Sequence, residues 1–174
     1  MSVIMVAAIG RNNELGKDNK LIWRIPEDMK FFRELTTGKI CKSNSKENYV
    51  VMGRKTFESL PGDLPDRKMV VISRKNLDDN YDVDCYHSIE DVVANFKNED
   101  IYIIGGATIY EQFLPFTDTM FLTEIDSEDY EADAYFPWFN TEEWEKENIL
   151  EGTVYKNIFY ERNKYVRKRV KNER

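Results

Sequence analysis

Five short apolar runs punctuate the chain: Val3–Ile9, Tyr49–Met52, Met69–Ile72, Ile101–Ile104 and Met120–Ile125. Each is rich in Val, Ile or Met, lacks polar alternation and is bounded by glycine or polar residues. That is the pattern of strands buried on both faces, as in a mainly parallel sheet covered by helices. Between them, helical spacing predicts helices over Pro26–Thr36, Thr56–Leu60, Ile89–Lys97 and Thr108–Leu114. Pro26 suits a first helical position, and Gly38 falls just past the end of the same segment. Ser88 precedes Ile89-Glu90-Asp91 as an N-cap followed by first-turn acids. Strands and helices therefore alternate, the mark of an α/β fold.

The C-terminal part differs. Glu143–Leu150 and Thr153–Glu161 read as an antiparallel hairpin at the sheet edge, turning at Glu151-Gly152. Residues 40–48 are polar and read as a surface loop. The expected architecture is one α/β domain over residues 1–163. Its mainly parallel, twisted sheet has about eight strands and an antiparallel C-terminal edge, flanked by about four helices.

Composition changes this picture little. The 174 residues suffice for one core without disulfide staples. Cys41 and Cys85 form no C-x-x-C pair, so neither a metal site nor a redox motif is expected, and a reducing cytoplasm suits them. No apolar run approaches a membrane span, and no membrane partner is expected. The net charge of −7 argues against general nucleic-acid binding. Residues 164–174 nevertheless carry six Lys/Arg against one Glu, leaving −12 for the rest. This segment reads as a solvated basic tail; contact with RNA or an anionic surface is the alternative reading.

Three segments carry candidate chemistry. Residues 15–28 form a long glycine-containing loop running into the first helix, at a strand end where α/β sheets place ligands. Asp28 and Phe32, four residues apart, share a helix face and offer one carboxylate beside an aromatic wall. That pair suits a flat, cationic or amidine-like heterocycle; the same residues also suit a helix-dipole partner and a core aromatic. Next, Met52-Gly53-Arg54-Lys55-Thr56 and Ser73-Arg74 follow two strands. Two basic strand ends fit a cofactor with an extra phosphate, and equally fit two solvated loops. Third, Gly105-Gly106 separates a strand from a helix without a G-x-G-x-x-G fingerprint, so it suits either a pyrophosphate turn or a plain one.

In combination these segments resemble the dihydrofolate reductase family. The correspondence runs in order from Val3 to Arg162. It includes L-G-x-D-N-x-L-x-W-x-I-P-E-D at 15–28, M-G-R-K-T-F-E-S at 52–59 and L-P-D-R-K at 64–68. It continues with I-G-G-A-x-I-Y at 104–110, L-T-x-I-D at 122–126 and F-P at 136–137. The resemblance implies NADPH-dependent reduction of 7,8-dihydrofolate to tetrahydrofolate by a cytoplasmic monomer, with antifolates as further ligands. It implies that Asp28 holds the pterin's N3 and 2-amino group, that Thr123 bonds Asp28, and that Trp23 reaches the pterin through water. Val6, Ala7, Met29, Phe32, Leu60, Leu64, Ile104 and Tyr110 match substrate positions. Arg67 matches the arginine that grips the substrate's α-carboxylate, where a planar fork outperforms lysine. Ala8, Ile9, Leu15, Gly16 and Trp23 match cofactor positions. Gly53, Arg54, Lys55, Thr56, Ser73 and Arg74 match others, as do Ile104, Gly105, Gly106, Ala107, Thr108, Ile109 and Tyr110. Two features depart from the family pattern: Ile22 replaces the usual Pro before Trp23, and the loop at 40–48 is longer than in bacterial members.

Overall fold

A computed structural model describes residues 1–170. The strands are β1 (Ser2–Ile9), β2 (Glu14–Lys17), β3 (Lys20–Leu21), β4 (Tyr49–Gly53), β5 (Lys68–Ile72) and β6 (Asp84–Tyr86). They continue with β7 (Asp100–Ile103), β8 (Thr119–Ile125), β9 (Ala134–Tyr135), β10 (Trp144–Tyr155) and β11 (Ile158–Arg167). The helices are α1 (Pro26–Thr36), α2 (Arg54–Ser59), α3 (Ile89–Asn95) and α4 (Ala107–Phe113). Eight strands form one sheet in the order β10-β11-β8-β1-β7-β4-β5-β6. The six strands from β8 to β6 run parallel, and β11 and β10 add an antiparallel edge. The expected fold class is the one observed.

Local chemistry explains the helices that sequence patterns located. α1 begins at Pro26 with Glu27 and Asp28 in its first turn. The chain leaves it through Gly38, whose φ of +75° favours glycine. Ser88 caps α3 by accepting the Asp91 N–H at 3.2 Å. α2 starts two residues earlier than expected, immediately after Gly53.

Chain direction across the sheet sets the two faces. From β1 the chain passes through α1 to β4 and then β5, and from β7 it returns through α4 to β8 beyond β1. With right-handed crossovers, these opposite directions place the helices on opposite faces. Leu35 of α1 packs with Val6, Val50, Met52, Val71 and Phe121. Ile109 and Phe113 of α4 pack with Val3, Met5, Val51, Ile103 and Leu122 on the other face. The switch in direction opens a crevice at the C-terminal ends of β1 and β7, the usual ligand position in such sheets.

Two expectations are corrected. The C-terminal hairpin does not turn at Glu151-Gly152. It turns at Lys156-Asn157, both left-handed with φ of 47° and 63°, while the register slips near Leu150 and Thr153 as a bulge. Nor is the basic segment from 164 onward solvated throughout. β11 runs to Arg167, with Tyr165 buried at 4% exposure, because this stretch pairs with both β8 and β10. Residues 168–170 are exposed, and 171–174 lie outside the described residues.

A small second sheet, β3-β2-β9, was not anticipated. It joins the 10–21 stretch to the 126–136 stretch. The Asp18 and Asp129 N–H groups donate to Asp133 Oδ2 and Glu14 Oε2, each at 3.0 Å. Phe136 N–H donates to Asn13 O at 2.8 Å, and Lys17 pairs with Glu131. The loop at 40–48 is anchored at the start of β7, where Ser43 Oγ and Asn44 N–H donate to Asp100 Oδ2.

Candidate active site

Asp28 projects from the first turn of α1 toward β8 and β11. The sheet register aligns Ala8 of β1, Thr123 of β8 and Arg162 of β11 in one row across three strands. Thr123 donates its hydroxyl to Asp28 Oδ1, as the resemblance implied. Arg162 was not among the expected site residues. Its Nη2 donates to the same Oδ1 at 2.7 Å and to Glu27 Oε2 at 3.0 Å, and its Nη1 donates to Glu27 Oε1 at 3.2 Å. Its Nε donates to Thr123 Oγ1 at 3.0 Å. Because Thr123 accepts from Arg162, its own proton is directed at Asp28.

Arg162 is 2% exposed. Burial works against its charge, but hydrogen bonds to Glu27 and Asp28 outweigh that and raise its pKa above the ordinary value. The Phe31 ring covers the guanidinium at 3.9 Å. Tyr160 donates to Glu27 Oε2, and its pKa is raised by burial and then by Glu27. Among the described residues, Asp28 Oδ2 accepts no hydrogen bond, so one oxygen is fixed by the protein and the other remains for a ligand.

The apolar wall lies on the α1 face of the sheet. Val6, Phe32, Leu60, Leu64 and Ile104 belong to one cluster with Phe31 and Phe121. Ala7 instead packs in the opposite core, as expected for its alternate position in β1. Met29 is half exposed, and Tyr110 is buried with its hydroxyl donating to Val6 O at 2.6 Å. Burial raises the Tyr110 pKa.

Arg67 sits at the far end of α1. Its Nη1 donates to Thr36 Oγ1 at 3.2 Å, its Nε donates to Pro65 O at 3.0 Å, and the group lies over Phe32. Burial lowers its pKa from the usual arginine value, yet an arginine stays cationic at neutral pH. Asp28 and Thr36 are separated by roughly 12 Å along the helix axis. α1 thus carries a carboxylate near its start, and Arg67, from the segment before β5, brings a cation to its end, with aromatics between. That spacing matches an elongated ligand with a hydrogen-bonding heterocycle at one end and a carboxylate at the other.

The second set of candidates gathers at the ends of β4, β5 and β7. Gly53 N–H donates to Gly105 O at 2.8 Å, tying two of the loops together. Gly105 has φ of +121°, and a Cβ there would stand 3.3 Å from the Tyr110 ring. A Cβ on Gly53 would lie 3.0 Å from Ile109 Cγ1. The backbone conformation at Gly105 favours glycine, a side chain at Gly53 would crowd Ile109, and together the two leave backbone open to a close-approaching ligand. The Gly105-Gly106 peptide is cis. Gly53 is in register with Ile72, so Arg54 and Lys55 follow one strand end while Ser73 and Arg74 follow its neighbour. Arg54, Lys55 and Arg74 are exposed, whereas Ser73 is buried. Thr56, Ala107 and Thr108 lie in the first turns of α2 and α4 that leave these loops.

Residues 10–24 cover the end of β1. Ile9 and Leu15 pack into the α4-side core, and Ala8 and Trp23 pack against Ile25, Ile125 and Tyr160. Gly10 permits this arrangement, since a Cβ there would fall 2.5 Å from the Trp23 ring. Gly16 is similarly constrained, with Lys20 O only 2.8 Å from a would-be Cβ.

Asp28 and Arg67 at opposite ends of an apolar wall, beside glycine turns and exposed cations at the neighbouring strand ends, suit an enzyme of the class that acts on a flat heterocycle with a phosphorylated dinucleotide. The family model for dihydrofolate reductase matches residues 2–167. The chain is 38% identical over 149 residues to dihydrofolate reductase of Haemophilus influenzae, covering 84% of this chain and 86% of that one. It is 35% identical over 170 residues to dihydrofolate reductase HdrB of Haloferax volcanii, covering 91% and 82%. A solved dihydrofolate reductase from Enterococcus faecalis, complexed with NADP(H), superposes with a TM-score of 0.81 at 27% identity, covering 97% of each chain. This chain belongs to the dihydrofolate reductase family. Its reaction is the NADPH-dependent reduction of 7,8-dihydrofolate to tetrahydrofolate.

Proposed function

We propose the following division of labour within this reaction. Asp28 holds the pterin by accepting hydrogen bonds from N3–H and the 2-amino group, with Oδ2 as the available oxygen. Thr123 and Arg162 fix the carboxylate from behind. Phe31, Phe32, Val6 and Ile104 sandwich the ring, and Arg67 takes the α-carboxylate at the other end. The observation that carries this reading is the placement of Asp28 and Arg67 at opposite ends of α1 across an aromatic wall.

The glycine turns and cations at the ends of β4, β5 and β7 fit NADPH. The backbone of Gly53, Gly105 and Gly106 would face its pyrophosphate, and Arg54, Lys55 and Arg74 its additional phosphate. When bound, NADPH supplies the hydride that reduces C6 of the pterin. The chain's own contribution is orientation, charge placement and exclusion of water by residues 10–24. Asp28 is anchored at the pterin's N3 end, so the proton for N5 comes from water. The unit is a single domain running through Arg167. It works as a monomer on small molecules, and the two free thiols suit a reducing cytoplasm.

Turnover of dihydrofolate, followed by loss of NADPH absorbance, tests the assignment as a whole: no rate at high enzyme concentration would remove it. The substrate end has its own test. Arg67→Lys cannot reproduce a bidentate grip, so folate affinity should fall on the order of tenfold while NADPH affinity holds. Titration calorimetry showing equal losses for both ligands would move Arg67 out of the substrate site. At the cofactor end, replacing Arg54 and Arg74 with Ala should lower the preference for NADPH over NADH by on the order of tenfold or more. The ratio of the two kcat/KM values is the measurement, and an unchanged ratio would show that these cations do not read the phosphate.

A further inference from the structure

We propose that Arg162 sets the charge selectivity of the Asp28 site, tuning it toward neutral lactam heterocycles and away from cationic amidinium ones. This rests on the reading of Asp28 as the pterin's partner. A lone carboxylate in a half-buried pocket attracts a cation far more strongly than a neutral donor pair, because the Coulomb energy there is weakly screened. Here the carboxylate is not alone. Arg162 lies 2.7 Å from Asp28 Oδ1 with a side chain only 3% exposed, so its positive charge acts on the same volume. A cationic ligand at Oδ2 meets both charges, and their contributions oppose each other. A neutral N–H donor pair responds mainly to the local oxygen and loses much less.

The other groups around the guanidinium do not cancel this effect. Glu27 also binds Arg162 and offsets part of its charge, but its side chain is 48% exposed, so water screens it more than it screens the buried guanidinium. Tyr160 contributes a neutral hydroxyl directed at Glu27, and Thr123 a neutral hydroxyl directed at Asp28. Phe31 closes the remaining face of the guanidinium without charge. Four of the five N–H donors of Arg162 are occupied by Thr123, Glu27 and Asp28. Its position is therefore fixed, and the charge it presents to the pocket is permanent. Arg162 touches no ligand in this arrangement; it is a positioning and specificity residue acting through Asp28.

The test uses a matched ligand pair: folate, whose 4-oxo pterin binds neutral, and its 4-amino analogue, which offers a protonatable amidine. Affinities are measured by titration calorimetry at neutral pH on the full chain. Arg162→Met should raise the preference for the 4-amino analogue over folate on the order of tenfold, the scale of one charge removed near a partly solvated site. Arg162→Lys should keep the ratio within a few-fold of wild type, since the charge remains. Glu27→Gln, which keeps the shape of a half-exposed side chain, should shift the ratio the opposite way, by less than Arg162→Met, by removing a carboxylate that offsets part of the Arg162 charge. It tests the proposal even if Arg162→Met does not fold. An unchanged ratio in both Arg162→Met and Glu27→Gln would overturn the proposal, as would an equal shift in Arg162→Lys and Arg162→Met. Failure of the underlying reading looks different: Asp28→Asn would then leave both affinities unaltered.

Discussion

Replacing Asp28 with Asn should slow hydride transfer at neutral pH on the order of 10²-fold or more, the usual scale for a positioned carboxyl group. Asn keeps the shape of the side chain and loses its charge. It also presents an amide donor where the proposed contact with the pterin requires an acceptor. Behind it, Thr123 and Arg162 would lose a charged partner, although Arg162 keeps its two contacts to Glu27. NADPH affinity should hardly change, because the glycine turns and cations proposed for the cofactor belong to other loops. Activity should partly return at low pH, where solvent protonates the substrate without help from this position. Single-turnover kinetics across pH is the measurement. A variant with the wild-type rate at neutral pH would return Asp28 to a helix-dipole role.

Removing residues 164–174 should destabilise the protein severely, contrary to what a basic, polar C-terminal segment suggests. Tyr165 is buried between β8 and β10, packs edge-on against Phe139 and donates to Glu124 Oε1 at 3.0 Å. Arg167 donates to Leu114 O at 2.7 Å and Thr117 O at 2.9 Å and lies over Trp144 at 4.3 Å. Truncating one buried aromatic costs about 3–5 kcal/mol, a large share of the roughly 5–15 kcal/mol that holds a domain folded. Tyr165→Ala alone should therefore lower Tm by about 10 °C for a chain of this size. The deletion, which also strips ladder bonds from β8 and β10, should fold poorly or not at all. Unchanged melting in calorimetry would show that the segment's packing contributes nothing.

These residues also show where sequence patterns stop being informative. Pro26, the acids after it and Gly38 act within one helix, so α1 could be bounded from local chemistry alone. The hairpin could not. Gly152 looks like a turn residue, but it is there because the Phe159 ring crosses it, with Cζ only 1.9 Å from a would-be Cβ. The true turn uses Lys156 and Asn157, whose left-handed conformations carry no glycine signal. Tyr165 and Arg167 were hidden by the charges around them, since a run of Lys and Arg reads as solvated whatever the strand beneath it does. Asp28, Thr123 and Arg67, the residues proposed for the substrate end, could be picked out because each sits in one of the motifs at 15–28, 122–126 and 64–68. Arg162 could not, because its partners lie 134 and 135 residues away in sequence and only the register of β8 and β11 brings them together.

The small β3-β2-β9 sheet has a mechanical consequence. Residues 10–21 are stitched to 126–136 by a main-chain ladder, a buried Glu14 and the Lys17–Glu131 pair, so the flap above the crevice cannot lift alone. Whatever opens it must either shear that ladder or carry the neighbouring stretch with it. Asp129 and Asp133 supply two of those ties, through Asp129 N–H to Glu14 and Asp18 N–H to Asp133, so the anchorage of residues 10–21 rests in part on residues outside the proposed ligand contacts.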